Sequence, residues 1–230
     1  MADAEGYILP PIRSRVEVGA GLARYYDLLL SVLSAGYYPY LIRRVIRKMN
    51  IQPGQSILDL GSGTGSNDCL MVAKVGRRGR IVGLDISDEM LAQARKRCHT
   101  HTNTSFEKQR IELPLGHLGE HKFDKVFICF ALHGFENDQK LGIIHNAYEA
   151  LKPGGAFYIM DYNEFDFGKV WFPIRWIFSH LECELAVEFL NLDIKGMLQS
   201  RGFTDFEEEL LFMRYFRLLR AVKPLISSSP

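Results

Sequence analysis

The feature that most constrains the fold is an apolar run that ends in three alternating glycines. The run covers Ile57 to Leu60, and Gly61, Gly63 and Gly65 follow at every second position. This pattern is typical of a buried parallel strand that turns sharply into a helix. Glycine permits positive φ at such a turn and lets the backbone approach a ligand, which then faces the N–H groups at the start of the helix. The sequence therefore predicts a ligand site at this turn.

Two acidic residues indicate which ligand approaches the turn. Asp85 ends the next apolar run, twenty residues after Gly65, at the spacing of an acid that accepts both hydroxyls of a ribose. Asp59 lies two residues before the first glycine, where a carboxylate suits a cation better than a pyrophosphate. The Gly-x-Gly-x-x-Gly spacing that dinucleotide enzymes need is absent. These features favour S-adenosylmethionine, which carries an ammonium and a sulfonium, over a dinucleotide or a turn without a ligand.

Strands and helices alternate along the rest of the chain. Strands are predicted at 56–61, 79–85, 104–109, 123–130, 156–161, 204–211 and 215–222, and helices at 67–75, 87–97, 138–151 and 192–200. This alternation predicts an α/β fold, in which a mostly parallel sheet carries helices on both faces. Ligands bind such sheets beyond the carboxyl ends of the strands. Five candidate residues lie at or near those ends: Asp59, Asp85, Gln109, Phe130 and Asp161.

Composition predicts a single domain over residues 1–230. The chain is 47% hydrophobic and 24% charged, which is ordinary for a globular protein. The net charge of +1 gives no electrostatic indication of nucleic-acid binding. No apolar run of about 18 residues could span a membrane, and the N-terminus shows no signal peptide. We therefore expect a cytoplasmic protein.

Cysteine and histidine usage predicts neither disulfides nor a metal site. The four cysteines, Cys69, Cys98, Cys129 and Cys183, are far apart and form no C-x-x-C pair. They are interpreted as reduced thiols. The Cys-His-Thr-His run at 98–101 has no second group of ligands at a spacing suited to zinc, so no metal is expected there.

Five segments together resemble the motifs of the class I S-adenosylmethionine-dependent methyltransferases, over roughly residues 20–223. The matching segments are 57–65, 83–91, 112–114, 123–127 and 151–155. The resemblance implies a Rossmann-like sheet of seven strands, mostly parallel, with helices on both faces and an antiparallel last strand. It also implies S-adenosylmethionine as cofactor and S-adenosylhomocysteine as product.

By matching positions, the resemblance also assigns the cofactor-binding residues. Asp59, Gly61 and Gly63 would hold the methionine moiety, and Asp85 would accept the ribose hydroxyls. Ile86 and Met90 would pack on the adenine, with Gln109 and Arg110 beside its edge. Three further residues are expected to bind the cofactor: Ser62, Ile111 and Phe130. The chain departs from the family at Gln109, where an aspartate is common, although an amide can still bond to the adenine edge.

A closer similarity concerns the N-terminal region. Residues 26–36 resemble the opening motif of the ubiquinone/menaquinone-biosynthesis C-methyltransferases. The resemblance implies a helical cap at about residues 20–50 that covers the cofactor, with Tyr26 near its methionine end. The chain departs from that group at Leu30, where asparagine is usual, and at Leu132-His133-Gly134, where Leu-Arg-Asn is usual.

Candidate catalytic residues follow from the acceptor chemistry. Hydroxyl and aromatic-carbon acceptors usually need a base, whereas amines need only be neutral. His133 follows the fourth strand and has a suitable ordinary pKa, although a structural role in the loop is the alternative. Asp161 could orient a substrate or cap the next segment, and Tyr26 is a third candidate.

An aromatic-rich insertion at about residues 163–190 indicates an apolar or aromatic acceptor. It contains Phe165, Phe167, Trp171, Phe172, Trp176 and Phe178. Such a segment suits a lid over the catalytic rim. Packing of an accessory helix or a dimer contact would account for some of these residues, and we expect a monomer or a homodimer.

The resulting hypothesis is methyl transfer to a small, apolar or aromatic acceptor, as in quinol-like C- or O-methylation. One alternative is N-methylation of an amine or phospholipid head group. Arg43–Lys48, whose cations lie on one helix side, would then make at most a peripheral membrane contact; a solvated helix face is the other interpretation. A further alternative is a non-catalytic cofactor-binding subunit. Nucleic-acid methylation is disfavoured, because Phe130–His133 stands where Asn/Asp-Pro-Pro-Tyr/Phe is needed.

Overall fold

A computed structural model describes residues 36–164 and 184–225. Within these ranges seven strands form one sheet in the order β3-β2-β1-β4-β5-β7-β6. The strands are β1 (Ser56–Leu60), β2 (Arg80–Asp85), β3 (Thr104–Lys108), β4 (Phe123–Cys129), β5 (Leu151–Tyr162), β6 (Thr204–Leu211) and β7 (Phe216–Val222). Strands β1 to β5 pair in parallel, and β7 runs antiparallel to both β5 and β6. The predicted seven-stranded α/β fold is confirmed.

The helices lie on both faces of the sheet, as predicted. They are α1 (Tyr37–Lys48), α2 (Ser66–Val75), α3 (Asp88–Arg97), α4 (Asn137–Ala150), α5 (Glu184–Phe189) and α6 (Ile194–Ser200). Side chains that alternate along β1 serve opposite layers: Ile57 packs with α1 and α2, whereas Leu58 packs with α4 and α6. Because β1 is buried on both faces, its sequence is a continuous apolar run rather than an alternating one.

Local sequence explains where several elements begin. Apolar residues at helical spacing bury one side of α1, where Val45 is fully buried. Ser87 caps α3, because its Oγ accepts a hydrogen bond from the backbone N–H of Met90 at 3.3 Å. The predicted start of this helix at residue 87 agrees with the cap.

The predicted start of the fifth strand is wrong. β5 begins at Leu151 rather than at residue 156, because Leu151 already pairs with Phe123 of β4. Lys152 and Asp124 form an ion pair at 2.8 Å, and the N–H of Gly154 donates to the carbonyl of Lys223 at 2.8 Å. These tertiary contacts extend the strand through a Pro-Gly-Gly sequence that locally indicates a break.

The interpretation of all four cysteines as reduced thiols is also wrong. Cys69 of α2 and Cys98, which follows α3, form a disulfide with their Cα atoms 5.7 Å apart. Their separation along the chain gives no indication that α2 and α3 pack side by side. Cys129 carries a free thiol, and Cys183 lies outside the described residues.

Other predictions concern segments that the description covers only in part. Tyr26, most of the N-terminal cap and residues 165–183 of the aromatic insertion lie outside the described residues. In the described ranges, no helix is long and apolar enough to cross a membrane. The same ranges contain no group of three or more His, Cys, Asp or Glu residues suited to a metal ion.

Candidate functional site

The topology determines where a ligand site can lie. The strand order reverses between β1 and β4, since β2 and β3 lie on one side of β1 while β4 and β5 lie on the other. In an open α/β sheet this switch point leaves a crevice beyond the carboxyl ends of the strands. Asp59, the glycine turn, His133 and Asp161 all lie at this end of the sheet.

The three glycines of the turn have different structural roles. Gly61, Gly63 and Gly65 have φ values of 78°, 52° and 71°, a region that glycine adopts without strain. A Cβ at Gly65 would lie 2.9 Å from Ala94, and one at Gly61 would lie 3.2 Å from Ala131, whereas one at Gly63 would meet nothing within 4 Å. Gly61 and Gly65 therefore allow close packing, and Gly63 faces the open space of the crevice.

The Asp85 carboxylate links the glycine turn to helix α3. Its Oδ2 accepts the N–H of Gly63 at 2.8 Å, and its Oδ1 accepts the N–H of Ser87 at 2.9 Å. Burial raises the pKa of Asp85, and these N–H groups oppose that rise. Each carboxylate oxygen keeps a second lone pair, so the side chain can also accept two ligand hydroxyls. This geometry fits the predicted role toward a ribose.

Two buried aspartates lie in the part of the crevice assigned to the methyl donor, which is called the donor side below. Asp59 of β1 is 1% exposed and Asp68 of α2 is 0% exposed. Among residues 36–164 and 184–225, no group donates a hydrogen bond to any of their four carboxylate oxygens. Burial raises the pKa of Asp59 well above its ordinary value, and the neighbouring Asp68 adds to the rise. Burial likewise raises the pKa of Asp68 to about 7. A cation beside the two carboxylates would stabilise their charged forms.

S-adenosylmethionine meets this requirement. Buried carboxylates without donors are costly unless a positive group lies beside them. The ammonium and sulfonium of the cofactor are such groups, and Gly63 leaves room for backbone approach. Asp68 was not predicted, because an acid in the first turn of a helix is ordinary in sequence and only the fold buries it against Asp59.

The residues assigned to the adenine lie close to Asp85 in the chain or in the sheet. Met90 is buried and Ile86 is half-buried, and the N–H of Gln109 donates to the Asp85 carbonyl at 2.9 Å. The Gln109 amide donates to the carbonyl of Arg110, whose guanidinium in turn pairs with Glu112. Ile111, also expected to bind the cofactor, instead packs its side chain in the main core cluster.

His133 and Asp161 lie in the part of the crevice expected to face the methyl acceptor, which is called the acceptor side below. The His133 Nδ1 lies 2.7 Å from Asp161 Oδ1, and the His133 N–H donates to Oδ2 at 3.2 Å. The N–H of Tyr162 donates to Oδ1 at 2.8 Å. A carboxylate only accepts hydrogen bonds, so Nδ1 carries the hydrogen and Nε2 is the acceptor nitrogen of the ring. The completely buried Asp161 thus orients His133 in the way that a general base is oriented.

Aromatic rings border the same side of the crevice. Phe130 has a φ of 49° and its ring centroid lies 5.0 Å from that of Phe216 and 6.0 Å from that of Tyr38. The rings of His133 and Tyr162 are 4.8 Å apart. Phe130 was predicted as a cofactor-binding residue, and its ring contacts those of Tyr38 and Phe216. The sequence analysis did not select Tyr38 and Phe216, because only the fold brings α1 and β7 to this end of the sheet.

Comparison with known proteins agrees with this geometry. The methyltransferase domain family matches residues 51–195, a span that contains the glycine turn, Asp85 and the His133–Asp161 pair. The chain belongs to the S-adenosylmethionine-dependent methyltransferases. Its cofactor is accordingly S-adenosylmethionine.

This methyltransferase is similar in sequence to other methyltransferases and in fold to a solved structure. It is 30% identical to an uncharacterized methyltransferase of Synechocystis sp. over 79% of this chain and 82% of that protein. It is 28% identical to a ubiquinone/menaquinone biosynthesis C-methyltransferase of Hydrogenovibrio crunogenus over 69% of this chain and 64% of that protein. The Haemonchus contortus phosphoethanolamine N-methyltransferase 2, solved with S-adenosyl-L-methionine, shares the fold with a TM-score of 0.59 at 18% identity, over 75% of this chain and 49% of that one.

Proposed function

We propose that this methyltransferase acts on a small aromatic acceptor that loses a proton as it is methylated, as in C- or O-methylation of a quinol-like ring. The observation that carries the proposal is the His133–Asp161 pair, with Nδ1 and Oδ1 2.7 Å apart, beside the aromatic rings of the crevice. An amine acceptor needs no base. An oriented imidazole at the rim therefore favours a hydroxyl or a ring carbon.

The donor-side residues hold the cofactor. Asp59 and Asp68 face its positive groups, Asp85 accepts the ribose hydroxyls, and Gly63 permits the approach of the backbone. When bound, S-adenosylmethionine supplies an electrophilic methyl group and leaves as S-adenosylhomocysteine. Because Asp59 and Asp68 are excluded from water, their attraction for a cation is only weakly screened.

The acceptor-side residues take up the proton that the acceptor loses during methylation. Nε2 of His133 accepts the proton that the acceptor hydroxyl loses, and Asp161 stabilises the imidazolium that results. Asp161 acts through His133 and is a positioning residue, since its carboxylate already accepts bonds from the backbone and ring of His133 and from the N–H of Tyr162. Tyr26 stays a prediction as a third contributor.

Similarity to named proteins supports the aromatic acceptor. The ubiquinone/menaquinone relative suggests a quinone ring, although the chain covers less than two thirds of that protein's length. The fold neighbour from Haemonchus keeps N-methylation as the second candidate. The basic run of α1 gives that candidate less support, because Arg44 and Lys48 both pair with Glu209 of β6, at 2.5 and 3.1 Å.

An acceptor screen tests the proposal. Purified protein is incubated with S-adenosylmethionine and a panel of quinols, phenols, small amines and phospholipid head groups, and formation of S-adenosylhomocysteine is measured. We expect product with quinols or phenols. Product with amines alone supports N-methylation instead, and no product with any acceptor supports a non-catalytic cofactor-binding subunit.

A further inference from the structure

A buried arginine lies beside the proposed acceptor site. Arg217 of β7 is 1% exposed and pairs in register with Asp161 of β5. Its Nη1 donates to Glu164 Oε1 at 3.1 Å and lies 3.6 Å from Glu208 Oε1. Its Nε and Nη2, in contrast, have no hydrogen-bond partner among the residues that the structure describes. One edge of the guanidinium is therefore paired, and the other edge is buried and unsatisfied.

The unsatisfied edge has the geometry of a carboxylate receptor. Nε–H and one N–H of Nη2 point in parallel, which matches the two oxygens of a carboxylate. A buried donor without a partner is costly, and the cost is larger for a charged group. A phenol oxygen engages only one of the two donors, so a neutral phenol does not satisfy this edge.

The position of Arg217 relates this edge to the acceptor. The guanidinium carbon lies 6.0 Å from the ring centroid of Phe189, and the His133 ring centroid lies 6.4 Å from the same ring. Phe189 is 1% exposed. Arg217 and His133 thus both approach one buried aromatic side chain, and Asp161, which contacts His133, lies opposite Arg217 in the sheet.

Within the described part of the chain, the carboxylates near Arg217 do not bond to this edge. Asp161, opposite Arg217 in the sheet, accepts its hydrogen bonds from His133 and Tyr162. Glu164 contacts the other edge and its side chain is 57% exposed, so solvent screens much of its charge. Glu208 also pairs with Lys195 at 2.8 Å. An acceptor carboxylate at Nε and Nη2 would therefore complete the hydrogen bonding of Arg217 without displacing an existing partner.

We infer that Arg217 binds a carboxylate carried by the acceptor, so that the substrate class is an aromatic hydroxy acid. The inference rests on the proposed function, because it places the acceptor ring between Arg217 and His133. The carboxylate pairs with the guanidinium at one end, and the hydroxyl or the activated ring carbon faces His133 at the other.

Ligand binding to the full-length chain tests the inference. The protein is saturated with S-adenosylhomocysteine, and affinities for hydroxybenzoates and for phenols that lack the carboxylate are measured by calorimetry. The wild type should bind one hydroxybenzoate isomer at least about tenfold tighter than the matching phenol, because only the carboxylate makes a charged bidentate contact. Arg217→Lys keeps the charge but loses the two parallel N–H donors of the guanidinium. It should reduce the preference for the hydroxybenzoate to below about threefold.

Arg220→Lys is the matched control, because Arg220 lies on the same strand and pairs at 2.9 Å with Glu207, whose side chain is 74% exposed. It should keep the full preference, and all variants should bind S-adenosylhomocysteine within about twofold of the wild type. No preference in the wild type overturns the inference, whether or not Arg217→Lys folds. A preference that persists in Arg217→Lys overturns it as well.

Failure of the inference is distinguishable from failure of the proposed function. If phenols without a carboxylate are methylated and Arg217→Lys has no effect, the proposed function stands and the inference fails. If hydroxybenzoates bind through Arg217 but yield no S-adenosylhomocysteine, the inference stands and the proposed function fails.

Discussion

Asp59 and Asp161 are both buried aspartates near the carboxyl ends of strands, yet they differ in their partners. In the described part of the chain no group donates a hydrogen bond to Asp59, whereas Asp161 accepts bonds from the N–H and Nδ1 of His133 and from the N–H of Tyr162. A buried carboxylate without donors requires a cation from a ligand. A buried carboxylate that accepts three hydrogen bonds needs no such cation and can instead orient a neighbouring side chain. The hydrogen-bond partners of the two aspartates, rather than their residue type, therefore determine that one binds a cation and the other orients His133.

The two sides also differ in how the chain assembles them. The donor side comes from one continuous segment, β1 to β2, with Asp68 on the helix between them. The acceptor side combines His133, Asp161, Phe189 and Arg217, which belong to four different elements. Cofactor recognition is thus local in sequence, whereas acceptor recognition is a product of tertiary structure.

The largest expected effect is on the acceptor side. His133→Ala should lower turnover by about 10²–10⁴-fold, because it removes the proposed general base, while the affinity for S-adenosylmethionine should stay within about twofold. Turnover is measured with an acceptor found in the screen, and affinity by calorimetry. His145→Ala is the control, since His145 is exposed on α4. Unchanged turnover in His133→Ala would remove this residue from the mechanism.

A smaller effect is expected on the donor side. Asp85→Ala should weaken binding of S-adenosylmethionine by about 1–3 kcal/mol, roughly 5- to 150-fold, because the ribose hydroxyls lose their acceptor and the Gly63 N–H loses its partner. Turnover at saturating cofactor should change little. Asp138→Ala, at an exposed position of α4, should leave both quantities unchanged. Calorimetry that shows no loss in Asp85→Ala would contradict the ribose assignment.

The smallest effect concerns pH. The pKa of Asp68 is raised to about 7 in the folded protein, so this group holds a proton between about pH 4 and 7 that the unfolded chain has already lost. Its contribution to the free energy of unfolding is therefore present at low pH and lost as pH rises toward 7. A bound cation favours the ionised form, so cofactor affinity should increase with pH, by at most about tenfold per pH unit below 7.

Asp68→Asn tests this linkage. The variant should flatten the dependence of cofactor affinity on pH near 7, and calorimetry in buffers of different ionisation enthalpy should show less proton release on binding. Asp88→Asn is the control, because Asp88 is exposed and pairs with Lys108. An unchanged pH profile in Asp68→Asn would show that Asp68 does not face the cofactor's charge.

The sequence was informative wherever a local pattern carries its own physical reason. The glycine turn predicted β1, α2 and the crevice, because alternating glycines after an apolar run have few other uses. Asp85 was found by its spacing. The continuous apolar run of β1 predicted a buried strand. The physical reason for the run is that its residues pack in both layers of the core.

Predictions failed where a contact between distant segments decides the outcome. Leu151 extends β5 only because Phe123 lies opposite. Cys69 and Cys98 are paired because α2 and α3 are adjacent. Arg217 has no local sequence signal that distinguishes it from other arginines, and only its register with Asp161 places it near the crevice.

The separation of the two sides is tested most directly by a double-mutant cycle between Asp85→Ala and His133→Ala. Cofactor affinity and turnover at saturating cofactor are measured for the wild type, both single variants and the double variant. The double variant should match Asp85→Ala in affinity and His133→Ala in turnover, with a coupling energy within about 0.5 kcal/mol of zero, as for independent sites. A coupling above about 1 kcal/mol in either quantity would contradict the division between a donor side and an acceptor side.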